Sequence, residues 1–98
     1  MKIWLDDIRN APEGWIQCKT ARQAADFVDS GKVTHISFDH DLGLYLDGYW
    51  LANYIELAAM DNRISRITWD VHSANPVGRR NIDLAMKSAT RFFNYNNR

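Results

Sequence analysis

Three short clusters of residues, whose side chains could bind a metal ion or transfer protons, each follow an apolar run of the sequence. They are Asp6-Asp7, Asp39-His40-Asp41 and His72-Ser73. Carboxylates that are brought close together repel, so a site built from them needs a bound cation or shared protons. Aspartate oxygens are hard ligands of the kind that Mg²⁺ or Mn²⁺ prefers.

These clusters predict a divalent metal site with acid–base groups beside it. Four aspartates are candidate metal ligands: Asp6, Asp7, Asp39 and Asp41. The alternative is that some of them cap helices or loops. His40 and His72 are candidate general acid and base groups because histidine titrates near neutral pH. Both could instead be metal ligands or structural residues.

The segment from Ser73 to Asn81 predicts an anion-binding turn. Asn75 and Pro76 have the residue types of a helix N-cap and first helical residue. The free N–H groups and the dipole of such a helix start favour an anion. A ligand could approach closely at Gly78, and several side chains could reach a phosphate: Arg9, Ser73, Asn75, Arg79, Arg80 and Asn81. The alternative is an ordinary capped helix with a solvated basic turn.

Seven elements are predicted to position these residues. Strands are expected at Lys2–Leu5, Trp15–Cys18, Val33–Phe38 and within Ile64–Val71. Helices are expected from Thr20 to just before Gly31, over Tyr49–Met60, and from Asn75 onward, with Asn94–Arg98 as a frayed polar tail. Strands that alternate with helices favour a parallel sheet with right-handed crossovers. The three clusters would then share the rim at the carboxyl ends of the strands, where ligands bind in such sheets.

The composition restricts the class of protein. The 98 residues make one domain, 1–98, and twelve basic against twelve acidic residues leave no net charge to attract long nucleic acid. No stretch approaches 18 apolar residues, and acid follows the first few residues too early for a secretory signal. Cys18 is the single cysteine, so no internal disulfide or cysteine-based zinc site is expected. We expect a cytoplasmic protein without membrane contact.

One further motif is interpreted as structural. His35-Ile36-Ser37-Phe38 matches the His-x-Ser/Thr element of two-histidine phosphoesterases, which need two copies and a longer chain. His72-Ser73-Ala74 does not supply the second copy, so His35 is predicted to be a strand residue.

Three longer motifs together resemble the cyclic-phosphate-processing receiver-like domain. They are Leu5-Asp6-Asp7-Ile8-Arg9 with the following 10–15, Phe38 to Gly43, and Val71 to Gly78 with Asn81. The family is regarded as a divergent relative of the response-regulator receiver and occurs in bacteria and phages. The resemblance implies hydrolysis or handling of cyclic phosphates in RNA or nucleotides. It also implies that Asp6 and Asp7 correspond to the acidic pair of receivers, and Asp39 to the phosphoacceptor.

The departures from the receiver pattern bear on function. No helix is evident between the first two strands, His72-Ser73 stands where receivers have Ser or Thr, and the fifth strand with its lysine has no equivalent. The lysine stabilises the acyl phosphate, so two-component signalling is disfavoured. We predict an α/β fold, a small three-layer receiver-like (flavodoxin-like) sandwich. Its four-stranded parallel sheet has the order 2-1-3-4 and helices on both faces.

The functional hypothesis is a metal-dependent phosphoesterase, a hydrolase acting on an RNA 2′,3′-cyclic end or a cyclic nucleotide. In it the aspartates hold Mg²⁺ or Mn²⁺, and His72, His40 and Asp39 are the catalytic groups. Two alternatives stay open: a non-catalytic module that sequesters a phosphate ligand or nucleotide, and a receiver-like interaction domain. The expected partner is a phosphate-bearing small molecule or an RNA end.

Overall fold

The computed structural model describes residues 1–43 and 45–96. Four strands, β1 (Lys2–Leu5), β2 (Ile16–Cys18), β3 (His35–Phe38) and β4 (Thr68–Val71), alternate with helices α1 (Ala21–Asp29), α2 (Gly48–Met60) and α3 (Pro76–Asn96). All strand pairs are parallel, and the sheet order is β2-β1-β3-β4. The predicted α/β fold, the parallel sheet and its order are confirmed.

The three helices begin within one residue of their predicted starts. Thr20 caps α1 by accepting a hydrogen bond from the Gln23 backbone N–H at 3.1 Å, and Asp47 caps α2 through the Trp50 N–H at 2.9 Å. The buried residues of α3 are the five that helical spacing indicates: Ile82, Ala85, Met86, Ala89 and Phe93, together with Gly78. β1 has the predicted bounds and β4 lies within the predicted 64–71, whereas β2 and β3 begin one and two residues later than predicted, at Ile16 and His35.

All three helices contribute to one apolar core on one side of the sheet. The chain moves across the sheet in the same direction from β2 to β3 and from β3 to β4. Because both crossovers are right-handed, α1 and α2 lie on the same face of the sheet. Buried side chains of α3 join that core together with Ile3, Leu5, Ile36 and Phe38 of the sheet. The core therefore lies between a three-helix layer and one face of the sheet.

The second face of the sheet departs from the prediction of helices on both faces. Only the step from β1 to β2 runs in the opposite direction, and its connection, residues 6–15, is a loop without helix. Strand alternation gives this face the remaining side chains: Lys2, Trp4, Gln17, His35, Ser37, Thr68 and Asp70. It is a polar surface with one aromatic residue from the strands, and we call it the open face.

The end of α3 also differs from the predicted frayed tail. Residues 94–96 are helical, because the Asn96 side chain donates to the Ala59 carbonyl at 2.9 Å and Asn94 accepts from Arg66. The rest of the predicted tail, residues 97 and 98, lies outside the described residues. Within the described part of the chain, no helix has both the length and the apolar character needed to cross a membrane.

Candidate functional site

Backbone hydrogen bonds that extend the sheet bring the three clusters to one rim. The Asp6 N–H donates to the Cys18 carbonyl at 3.1 Å, and the Asp39 N–H to the Leu5 carbonyl at 2.9 Å. The His72 N–H donates to the Phe38 carbonyl at 2.9 Å. Each residue is thus fixed one position beyond a strand end, so the side chains of Asp6, Asp39 and His72 converge.

Three aspartates form a tight cluster at this rim, which we call the acidic group. Carboxylate oxygens of Asp6, Asp7 and Asp39 all lie within 4.8 Å of one another. Asp6 and Asp39 are buried, and Asp7 is half-buried. Three negative charges at this spacing repel strongly in a partly dry site, so positive charge must compensate them.

Asp6 has protein partners on both of its carboxylate oxygens. Its Oδ1 accepts the backbone N–H groups of Ile8 and Arg9, each at 2.8 Å. Its Oδ2 faces Arg9 Nε at 2.9 Å and His72 Nε2 at 3.0 Å. Burial raises the pKa of Asp6, but the backbone hydrogen bonds, the His72 contact and the Arg9 charge outweigh it and lower the pKa below its usual value.

Arg9 supplies part of the compensating charge. Besides Asp6, its guanidinium lies 3.6 Å from Asp39 Oδ1 and donates to the His72 carbonyl at 3.4 Å. Its side chain is still 53% exposed, so the guanidinium remains accessible to a ligand. Arg9 therefore lies at the rim beside the acidic group, and its binding to a phosphate stays a prediction.

Asp7 is the opposite of Asp6. Its Oδ1 is buried and has no hydrogen-bond partner among the described residues. Its other oxygen, Oδ2, lies 2.9 Å from the point where a Cβ on Gly43 would stand, and Gly43 has a φ of +65° that other residues rarely adopt. A buried carboxylate oxygen without a donor is costly unless a cation or a water satisfies it.

The acidic group fits a divalent cation through Asp7 and Asp39. The unpartnered Asp7 Oδ1 provides one hard oxygen ligand, and Asp39 offers a second within the same cluster. Asp6 could join only through an oxygen that already accepts hydrogen bonds from the protein. The predicted ligand Asp41 is exposed and is not brought into the group, since its carboxylate contacts His40 and Asn75.

His72 is held on three sides. Its Nε2 contacts Asp6, its Nδ1 lies 2.8 Å from Ser37 Oγ, and its ring stacks on Trp4 with centroids 3.9 Å apart and planes 3° from parallel. The Trp4 indole N–H in turn donates to the Arg9 carbonyl at 3.1 Å. The imidazole therefore has one orientation, with Nε2 directed at the acidic group.

His40 lies on the other side of the rim, between the starts of two helices. Its Nδ1 is 2.9 Å from Asp41 Oδ1, and its Nε2 is 3.3 Å from Asp47 Oδ2. The His40 contact is the main cause of the lowered pKa of Asp41, and Asn75 adds to it. A Cβ on Gly78 would lie 2.2 Å from His40 Cγ, so the imidazole fills the space at Gly78 where the sequence suggests a ligand.

A comparison with known protein families gives a match that covers most of the chain. The model of the cyclic-phosphate processing receiver domain matches residues 1–88. The chain belongs to this family. Comparisons with curated proteins and with solved structures give no match. The resemblance that the three motifs indicate is thus confirmed, and it extends over both strands and helices that build the rim.

Most predicted phosphate-binding residues of this receiver domain build the turn before α3. Ser73 Oγ accepts the Asn75 N–H at 3.1 Å, and Asn75 Oδ1 accepts the Gly78 N–H at 3.0 Å. Arg79 donates to the Ser73 carbonyl at 3.1 Å. Asn81 is half-buried and lies away from the rim, in a depression that it shares with α2 residues. Arg9 is the predicted phosphate contact that lies directly at the acidic group.

The open face carries a hydrogen-bonded chain that the sequence motifs do not predict, and this chain ends at His72. Ser37 Oγ donates to Asp70, and Asp70 Oδ2 lies 2.7 Å from His35 Nε2. Burial raises the pKa of Asp70, but the Ser37 and His35 hydrogen bonds and the nearby histidine charges lower it further than burial raises it. The signal was present in the strand period of two, which puts His35 and Ser37 on one face.

Proposed function

We propose that this receiver domain hydrolyses a cyclic phosphate, either an RNA 2′,3′-cyclic end or a cyclic nucleotide, with Mg²⁺ or Mn²⁺ as cofactor. The observation that carries the proposal is the buried, unpartnered oxygen of Asp7 inside the acidic group. Family membership supports the link to cyclic phosphates. The metal and the chemistry are our inference from the side chains.

In the proposal, Asp7 and Asp39 hold the cation at the rim. When bound, the divalent ion supplies a Lewis acid for a phosphoryl oxygen. Arg9 binds a second non-bridging oxygen with the exposed part of its guanidinium, while its Nε stays paired with Asp6. These contacts orient the phosphorus toward the face of the site where His72 lies.

The two proton transfers of the reaction are assigned to His72 and Asp39. Water forms a new P–O bond, one ester P–O bond breaks, and the leaving oxygen takes a proton. His72 is the better placed donor because its Nε2 contacts the acidic group, whereas His40 contacts Asp41 and Asp47 outside it. Asp39 is the carboxylate available to take the proton from the water, and Asp6 fixes the His72 ring for the transfer.

The test is turnover on a panel of cyclic phosphates followed by phosphorus NMR. The panel holds RNA with a 2′,3′-cyclic end, 2′,3′-cyclic nucleotides and 3′,5′-cyclic nucleotides, each with Mg²⁺, Mn²⁺ or EDTA. We expect metal-dependent opening of at least one ring, abolished in Asp7→Asn and kept in the surface control Asp26→Asn. Absence of turnover on every substrate would contradict the hydrolase.

A non-catalytic binding module is the second candidate, and one observation favours it. Both ring nitrogens of His72 and both oxygens of Asp6 already have protein partners, as in a structural network. Such a module would bind the same cyclic phosphates through Arg9 without converting them. Calorimetric binding that persists in His72→Ala, with no turnover in the wild type, would favour this candidate.

A further inference from the structure

The charges of the chain are unevenly distributed, although they cancel overall. Residues 63–98 hold seven of the twelve basic residues but two of the twelve acidic ones. In the structure, much of this positive charge lines two adjoining depressions between β4 and α3. We call them together the basic groove, and its charged and aromatic lining residues are Arg66, Trp69, Arg79, Arg80, Asp83, Lys87 and Arg91.

The basic groove runs along an open edge of the sheet. β4 is the last strand in the sheet order, and half-buried Trp69 lines both depressions and joins them. On the helix side, the groove follows α3 from Arg79 to Arg91, a rise of about 18 Å at helical spacing. That length accommodates a short extended chain and exceeds what a single small anion needs.

Two of the basic side chains in the groove have no hydrogen bond or ion pair with the described residues. Lys87 is paired with Asp83 at 2.8 Å, Arg66 contacts Asn94, and Arg79 donates to loop carbonyls. Arg80 and Arg91 are exposed and have no hydrogen bond or ion pair with the described residues. Exposed guanidinium groups flanking an aromatic ring are suited to phosphates and to a stacked base.

We propose that the basic groove binds a single strand of nucleic acid. Arg80 and Arg91 contact the phosphodiester backbone, and an unpaired base stacks on Trp69. A duplex is disfavoured because its bases are already stacked and cannot reach the tryptophan. The proposal goes beyond hydrolysis, because it requires no chemistry at the rim.

The groove also adjoins the candidate site. Arg79, at one end of the groove, donates to the carbonyls of Val71 and Ser73, the two residues that flank His72. A strand bound in the groove therefore has one end close to the loop that carries His72. Single-strand binding would favour a nucleic-acid end over a free cyclic nucleotide as the ligand of the rim.

The test is fluorescence anisotropy with a labelled single-stranded RNA hexamer that ends in a 3′-hydroxyl. We expect the double variant Arg80→Gln/Arg91→Gln to weaken binding by roughly tenfold and to lower the salt slope by about 1.4, the value for two lost phosphate contacts on a single strand. Trp69→Phe should retain binding and Trp69→Leu should weaken it, with thermal unfolding used to confirm that both variants fold.

The matched control is Arg22→Gln/Arg63→Gln, which removes the same charge near Trp50 and Tyr54, away from the groove. Equal weakening by both double variants would overturn the proposal, because it would indicate diffuse attraction. Equal or tighter binding of a duplex, or of a glutamate decamer as an acidic-peptide probe, would also overturn it. So would no binding of the hexamer at low salt.

The design separates this inference from the proposed hydrolase. The hexamer has no cyclic end, and Asp7→Asn, which should abolish turnover, should bind it with unchanged affinity. Strand binding without turnover on any cyclic phosphate would support the groove and contradict the hydrolase. Turnover of a cyclic phosphate without binding of the hexamer would support the hydrolase and contradict the groove.

Discussion

Asp6 and Asp7 are neighbours of the same residue type, yet the structure puts them in opposite environments. Asp6 lies at the edge of the open face with four hydrogen-bond contacts to its two oxygens. Asp7 turns toward Gly43 and keeps a buried oxygen without a partner. The comparison separates a carboxylate that holds the loop and His72 in place from one that is available to a ligand.

The same contrast extends to the rest of the rim. On the Asp6 side, Arg9, His72, Ser37 and Trp4 are joined by hydrogen bonds and ring stacking. On the Asp7 side, the acidic group continues to Asp39, whose Oδ1 accepts the His40 N–H at 2.9 Å. The Asp6 side should therefore respond to mutation through order and stability, and the Asp7 side through ligand binding.

The largest effect is expected from His72→Ala. If its Nε2 gives up a proton in the reaction, turnover of the cyclic phosphate should fall by about 10²–10⁴-fold, with a much smaller change in ligand affinity. The stacked position on Trp4 means that the substitution also costs some stability, so His72→Gln is the second variant. Steady-state kinetics and calorimetry on both variants make the measurement.

Ser37→Ala sharpens the same test. It removes the partner of Nδ1 but leaves the Nε2 contact with Asp6, so it should lower turnover less than His72→Ala does. An unchanged turnover in both His72→Gln and His72→Ala would show that His72 is structural. It would contradict the proposal that His72 donates a proton in the reaction.

The next effect is a difference in stability between two alanine variants. Asp6→Ala removes the acceptor of the Ile8 and Arg9 backbone N–H groups and the carboxylate that Arg9 Nε and His72 Nε2 contact, which should cost about 1–3 kcal/mol of unfolding free energy. Asp7→Ala removes an unpartnered buried oxygen, so its stability should stay within about 1 kcal/mol of the wild type or rise. Urea unfolding at neutral pH measures both, with Asp26→Ala as a surface control.

The comparison fails if these two variants are equally destabilised. That result would mean that Asp7 has a partner comparable to those of Asp6, and that its oxygen is not available. A destabilised Asp7→Ala with a normal Asp6→Ala would invert the assignment.

A smaller effect is expected in the pH dependence of stability. The pKa of Asp6 is lowered in the folded protein, so its contribution is complete above the unfolded value of about 3.9. As the pH falls through the folded pKa the contribution is lost, because protonation breaks the contacts with Arg9 and His72. Stability of the wild type measured between pH 7 and 2 should fall more steeply than that of Asp6→Asn. Parallel curves would contradict the assignment.

The fold could be predicted from the sequence because its signals are local and periodic. Apolar runs of strand length that end in polar residues indicated the parallel sheet, and parallel strands put Asp6, Asp39 and His72 at one rim. The position of α1 and α2 could also have been predicted, because right-handed crossovers in the order 2-1-3-4, with no helix between the first two strands, put both helices on one face. The sequence does not indicate that the loop at residues 6–15 covers part of the open face, where Trp15 packs edge-on against Trp4 and His35.

The finer geometry of the site depends on how individual side chains are oriented, which the residue types alone do not determine. Extending the two-residue alternation of β1 by one residue puts Asp6 on the face of Trp4, but nothing in the sequence indicates that Asp7 keeps a buried oxygen without a partner. Gly78 is a similar case, because its missing side chain makes room for His40 rather than for a ligand. The partners of His72 could have been found, since Ser37 and Asp70 are paired in the β3–β4 register on the face of His35.

The most direct test of the account is Mn²⁺ binding measured by calorimetry on three proteins: the wild type, Asp7→Asn and Asp26→Asn. We expect one Mn²⁺ per chain in the wild type and in Asp26→Asn, and binding weakened at least tenfold in Asp7→Asn, because an amide then replaces the carboxylate whose Oδ1 is the only buried side-chain oxygen without a hydrogen-bond partner among the described residues. Equal Mn²⁺ binding by the wild type and Asp7→Asn, or no binding by any of the three, would contradict the central claim that the Asp7 side of the rim holds the metal.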